Sequence, residues 1–261
     1  VWNIDGSITT QGLSLWEEPG EKGGYTQEKP PLVSFVVVCT RFARRLEAAL
    51  RHLAHQKHVS RSDYEILVAY VPGLDATLDV VESLQRVYPD VRIHALPFTL
   101  DLATAKGFMI NECVRVAQGH WTALLDADAL VPPNLVHTLQ SLPQDVLFAV
   151  PDGRKMLSPE VTAEVLLGER TSWEEWDALL STAGEYRHDE AVGIPIGFLQ
   201  AFRRHCFDKV QYLDSRNFDG ADYSFGTAML KHFGPAHRMS GMPVVHLDHG
   251  GSQWYGTAHH R

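Results

Sequence analysis

The sequence predicts an α/β fold: a mostly parallel, Rossmann-like sheet flanked by helices, followed by a C-terminal part of different rhythm. Three observations lead there. Short runs rich in valine, isoleucine and aromatic residues recur between residues 33 and 150. Segments with helical spacing of apolar residues alternate with them. The first runs are continuously apolar, as strands covered on both faces are.

Residues 1–31, rich in Gly, Glu, Thr and Pro and ending at Pro30-Pro31, read as an irregular arm in which Trp2, Leu13, Leu15 and Trp16 are isolated apolar points. Val33 to Val38 is the first predicted strand, and Cys39-Thr40-Arg41 the loop after it. Leu46, Ala49, Leu50 and Leu53 then fall on one helical face. Tyr64 to Val71 repeats the strand signature, Pro72-Gly73 turns the chain, Asp75 is placed to cap, and Leu78, Val81 and Leu84 form the next apolar stripe. Val91 to Leu96 reads as a shorter, more polar strand. A helix over Ala103 to Gln118 follows, with Gly119 expected as its left-handed terminator, before the run Trp121 to Leu125. Pro132-Pro133 suit a helix start, and Val146 to Val150 is a further strand.

Beyond residue 150 the pattern changes, and 151–261 reads as a second half distinct from 32–150. Residues 151–192 are charged and irregular, with Trp173-Glu174-Glu175-Trp176 in a predicted helix. A helix near Ser224 to His232 and the segment Val244 to Gly251 close the chain.

With 261 residues and 44% apolar content the chain can bury a sizeable core. Its net charge of -9 argues against a nucleic-acid partner held chiefly through phosphates, while leaving room for a local basic groove. Cys39, Cys113 and Cys206 are odd in number, far apart and set in apolar surroundings, which predicts reduced core thiols and a cytoplasmic protein. No apolar stretch is long enough to span a bilayer, and the N-terminus lacks the features of a signal peptide. The chain starts at Val1, which leaves a crop from a longer protein open.

Asp126-Ala127-Asp128 stands directly behind the apolar run Trp121 to Leu125. In parallel sheets ligands sit beyond the C-terminal strand ends, so Thr40, Tyr70 and Asp126 are expected to line one crevice. Paired carboxylates there suit a divalent cation; the plain alternative is a turn or a helix cap.

The ordered segments resemble a nucleotide-sugar glycosyltransferase of the GT-A fold, most like the inverting family 2, over about residues 32–250. Three landmarks carry the resemblance: Pro31 to Thr40; Ala105-Lys106 with Asn111 and Gly119, followed by Leu124-Leu125-Asp126-Ala127-Asp128, similar to the family's basic residue, helix and DxD motif; and Gly220-Ala221-Asp222 before a helix. The resemblance implies transfer of a sugar from a nucleoside-diphosphate sugar, uridine favoured over guanosine, to an acceptor hydroxyl. It makes 32–150 the donor half and 151–261 the acceptor half.

In its terms Asp128 binds Mn2+ or Mg2+ together with His246, with Asp126 and His249 as alternates. Thr40, Arg41, Tyr70, Lys106, Asn111, Asp126 and Ala127 belong to the nucleotide-sugar site. Asp222 is the expected base, with Asp219 as its rival, and a helix cap is the structural alternative for Asp222. Lys106 is expected to reach the nucleobase or diphosphate.

Two departures from the family stand out. Ala221 replaces a Glu that contacts the acceptor, and Val68 to Pro72 lacks the usual base-binding aspartate, so Tyr70 is the residue left to stack on the base. Trp173 and Trp176, three apart on a predicted helix, offer an aromatic face for an acceptor, or pack the second half onto the first. Trp254-Tyr255 reads as a segment to close over donor, or as an ordinary tail. Two other classes compete. A nucleotidyltransferase of similar sheet would need a Gly-rich phosphate loop, and Cys39-Thr40-Arg41-Phe42 has no glycine. A degenerate module that binds a glycan or partner without chemistry is the other.

Overall fold

The computed structural model describes residues 30–188, 194, 198–214 and 220–249. The strands follow the apolar runs. β1 (Val33–Cys39) and β2 (Tyr64–Tyr70) are buried at every residue because helices cover both faces, whereas β3 (Arg92–Pro97) is mostly half-buried at the sheet edge. With β4 (Trp121–Asp126) these strands form a parallel unit in the order β3-β2-β1-β4. The order reverses at β1, which opens a crevice beyond the ends of β1 and β4, where Val38 pairs with Asp126.

Alternate residues of β1 face two cores. Val33, Phe35, Val37 and Cys39 meet Leu46, Leu50 and Leu53 of α1 (Ala43–Leu53), Val81 and Leu84 of α2 (Thr77–Val87), and Leu135 and Leu139 of α4 (Leu135–Ser141). Val36 and Val38 meet Met109, Ile110, Cys113 and Val114 of α3 (Lys106–Val116) and Phe225 and Met229 of α7 (Ala221–Phe233). Each such fully buried aliphatic side chain contributes about 2 kcal/mol.

The chain after residue 151 returns to the same sheet. β9 (Leu199–Arg203) inserts antiparallel between β4 and β6 (Phe148–Pro151), and β10 (His237–Met239) pairs beside β6. A smaller sheet has the order β5-β11-β7-β8, formed by β5 (Ala129–Leu130), β7 (Arg154–Met156), β8 (Tyr186–Arg187) and β11 (Val244–His246). α5 (Pro159–Leu167) and α6 (Trp176–Ser181) cover it, with Val165 and Leu179 packed on Leu130, Val245 and Leu247. No helix among the described residues is long and apolar enough to cross a membrane.

Several local expectations are corrected. Gly119 is not the left-handed terminator of α3, which ends at the extended Ala117. A Cβ at Gly119 would instead overlap Ser34 of β1, whose hydroxyl accepts the Gly119 N–H at 2.7 Å. The helix expected over Ala103 to Gln118 is present but shorter, Lys106–Val116, with a separate 3-10 turn at Leu100–Leu102 before it. Trp173 precedes α6 and is not on it. α7 begins at Ala221, so Asp222 lies in its first turn. Asp75 is not the N-cap of α2, which is Ala76, but its carboxylate accepts the first N–H of two helices, Thr77 N and Ala43 N.

Candidate active site

Two clusters meet at the end of β4, one around each carboxylate of the Asp-Ala-Asp sequence. Asp128 follows the strand and is buried. The register Ala129↔His246 between β5 and β11, locked by the bond from Leu247 N to Asp128 O at 2.9 Å, lays β11 beside it. On β11 the flanking Val245 and Leu247 enter the core, so His246 points the other way. Its Nε2 lies 3.7 Å from Asp128 Oδ1, and His249 Nε2 lies 3.2 Å from Asp128 Oδ2. Ligating atoms of all three residues fall within 4.8 Å of one another. His246 Nδ1 is buried without a hydrogen-bond partner. One carboxylate and two imidazoles in such a cage are a donor set that fits a divalent cation. Burial would raise the Asp128 carboxyl, but the His246 and His249 imidazoles outweigh it and hold it at about 2.

The segment after β11 is tied down from α1 and α5. Arg45 donates from Nε and Nη2 to Asp248 O at 3.0 and 2.5 Å, and Thr162 Oγ1 accepts from Asp248 N at 2.8 Å. Phe42 packs on His249 with ring centroids 5.3 Å apart. Sequence reading did not single out Arg45, because one arginine beside an apolar stripe carries no periodic signal.

The second cluster centres on Lys106, at the start of α3. Its Nζ donates to Asp126 Oδ1 and to Asp222 Oδ2, both at 2.9 Å. Burial alone would lower the lysine, yet Asp126 and Asp222 raise it and keep it an ammonium. Burial pushes the Asp222 carboxyl up against the pull of Lys106, with Asp126 adding to the rise. Lys106, Asp126, Tyr212 and Asp222 line one narrow crevice of about 10 Å³. Asp222 makes no side-chain cap; the N-cap of α7 is the left-handed Gly220.

The remaining expected site residues have these places. Thr40 is fully buried after β1, Arg41 is half-buried beside it, and Ala127 is part of the core. Tyr70 ends β2 next to Cys39 and is 6% exposed, which leaves little of its ring for a ligand. Both ends of the Asn111 amide are taken by the Tyr212 backbone at 3.0 Å. Trp173 stacks on His55, just beyond α1, at 4.0 Å, and Trp176 packs on His52 of α1 at 5.2 Å. Asp219 and Trp254-Tyr255 lie outside the described residues. The three cysteines are free and buried, and burial pushes the Cys39 thiol up to about 12.

Residues 30–248 match the model of a family described as glycosyltransferase like family 2. The chain belongs to that family. No curated protein matches the chain. Among solved structures, the family 2 chain is similar to the mannosyltransferase PcManGT from Pyrobaculum calidifontis in complex with GDP-Man and Mn2+, at 21% identity and TM-score 0.56, over 84% of this chain and 57% of that one. It is also similar to S. aureus TarS 1-349 in complex with UDP-GlcNAc, at 12% identity and TM-score 0.62, over 87% of this chain and 61% of that one. These likenesses show the fold, and the chain spans about three-fifths of the length of each of the two.

Proposed function

We propose that this family 2 chain is an inverting, metal-dependent glycosyltransferase. It takes a nucleoside-diphosphate sugar, a uridine donor first among the candidates, and delivers the sugar to an acceptor hydroxyl. The observation that carries the reading is the convergence of Asp128, His246 and His249 beside a second, separately held carboxylate, Asp222. The two solved relatives that bind GDP-Man with Mn2+ and UDP-GlcNAc support the donor class.

Asp128, His246 and His249 would hold Mn2+ or Mg2+, which neutralises the charge that develops on a leaving diphosphate. Asp222 removes the proton of the acceptor hydroxyl as its oxygen attacks the anomeric carbon from the face opposite the diphosphate. One C–O bond forms while the sugar–diphosphate bond breaks, through a transition state with oxocarbenium character. A carboxyl raised by burial is a stronger base than an exposed aspartate, which suits that task. Asp126, two positions before Asp128, faces the donor as a contact for its nucleoside. Three free, buried thiols fit a cytoplasmic setting.

The test is product analysis with UDP- and GDP-sugars and Mn2+. Release of nucleoside diphosphate with inversion at the anomeric carbon is expected; release of pyrophosphate would overturn the reading in favour of nucleotidyl transfer.

A further inference from the structure

Lys106 is placed to hold other side chains, and its surroundings say which. α3 and the segment before α7 form one tightly fitted block. Gly107 and Asn111, one helical turn apart, share the face that meets this segment. A Cβ on Gly107 would overlap the Leu213 carbonyl, and the Asn111 amide both donates to and accepts from the Tyr212 backbone. Tyr212 stacks on Phe225 of α7 with centroids 4.3 Å apart, and its hydroxyl donates to Gln200 Oε1 at 2.5 Å. The Gln200 amide in turn donates to the Asp222 carbonyl at 3.2 Å. The backbone of Asp222 is therefore set by α3, Tyr212 and β9 together.

The carboxylate of Asp222 is set by Lys106. The same ammonium reaches Asp126 at the end of β4, so one buried cation joins the block that carries the base to the strand end that faces the donor. Two carboxylates share this cation, and without it they would face each other at low dielectric.

We propose that Lys106 is a positioning residue that fixes the Asp222 carboxylate relative to Asp126, and that it is not itself a ligand of the donor. This rests on the glycosyltransferase reading for its kinetic part and on the ion cluster alone for its structural part.

The test compares wild type with Lys106→Met, Lys106→Arg, Asp222→Asn and the double variant Lys106→Met/Asp222→Asn. In thermal melts Lys106→Met should lower Tm by roughly 10 °C, because it strands two buried carboxylates. Adding Asp222→Asn should recover part of that loss, since it removes one of them. In turnover Lys106→Met should lower kcat by about 10²–10³-fold while the Kd of UDP with Mn2+ changes less than about threefold, and the double variant should be no slower than Asp222→Asn alone. Lys106→Arg, which keeps the charge, should restore part of kcat.

Losses in Tm that simply add would overturn the coupling. A Kd weakened more than about tenfold with kcat retained would make Lys106 a donor ligand and also overturn it. A wild-type protein that neither binds nucleotide nor transfers sugar would sink the glycosyltransferase reading, while the melting cycle would still decide whether Lys106 joins Asp126 to Asp222.

Discussion

The two carboxylates at the end of β4 are separated by one alanine and serve different company. Asp126 shares an ammonium with Asp222, and Asp128 faces two imidazoles. The first cluster is closed by a lysine that lies between its two carboxylates. The second sets a buried carboxylate, held low, against two imidazoles, a donor set that fits a divalent cation. Two carboxylates of one short motif thus belong to separate side-chain clusters. The divide follows from strand geometry: Asp126 is the last residue of β4 and meets Lys106 of α3 and, through it, Asp222 of α7, while Asp128 lies in the turn that follows, bonded to Leu247 just after β11.

Substitutions can break this contrast in a graded way. Asp128→Ala should reduce kcat/KM on the order of 10⁴-fold and abolish the dependence on Mn2+, because it removes the charged ligand. Asp222→Asn should lower kcat by about 10³-fold with Mn2+-dependent nucleotide binding retained, as calorimetry would show; lost binding would merge the two clusters into one. Within the metal cluster, His246→Ala should weaken Mn2+ binding by about 100-fold and His249→Ala by about 10-fold, read by metal titration. The difference reflects His246 being fixed in β11, whereas the His249 side chain is 21% exposed beyond the strand.

A separate effect falls on stability. Burial lowers His52 to about 4 from its ordinary 6.5, although Val131 O at 2.6 Å opposes the shift. Its neutral form belongs to the fold, so the unfolded chain takes up the proton first. Stability should fall by about 3 kcal/mol as pH drops from 6.5 to 4, and His52→Gln should flatten that slope in denaturant titrations at several pH values.

Much of this layout is legible in the sequence. The continuously apolar runs identify β1, β2 and β4, and a strand end followed by Asp126-Ala127-Asp128 identifies the crevice. His246 and His249 were visible as candidates because they follow Val244-Val245 in a motif order similar to that of the family. What was not legible depends on contacts between distant residues. The pairing of Asn111 with Tyr212 spans 101 positions, and neither residue type announces it. The strands of the small sheet are two or three residues long, too short to show periodicity. Gly119 carries the signature of a helix terminator but is required for its close approach to Ser34, a tertiary demand that local propensity does not contain. Lys106 reads as a donor contact on the family's pattern, and its ion pairs with Asp126 and Asp222 are visible only once α3, β4 and α7 are packed together.

The most direct measurement is calorimetric titration of UDP and GDP into the wild-type chain and into Asp128→Ala, each with and without Mn2+. The account predicts nucleoside-diphosphate binding that requires Mn2+ in the wild type and is lost in the variant. Binding that ignores Mn2+, or that is equal in the two proteins, would contradict it.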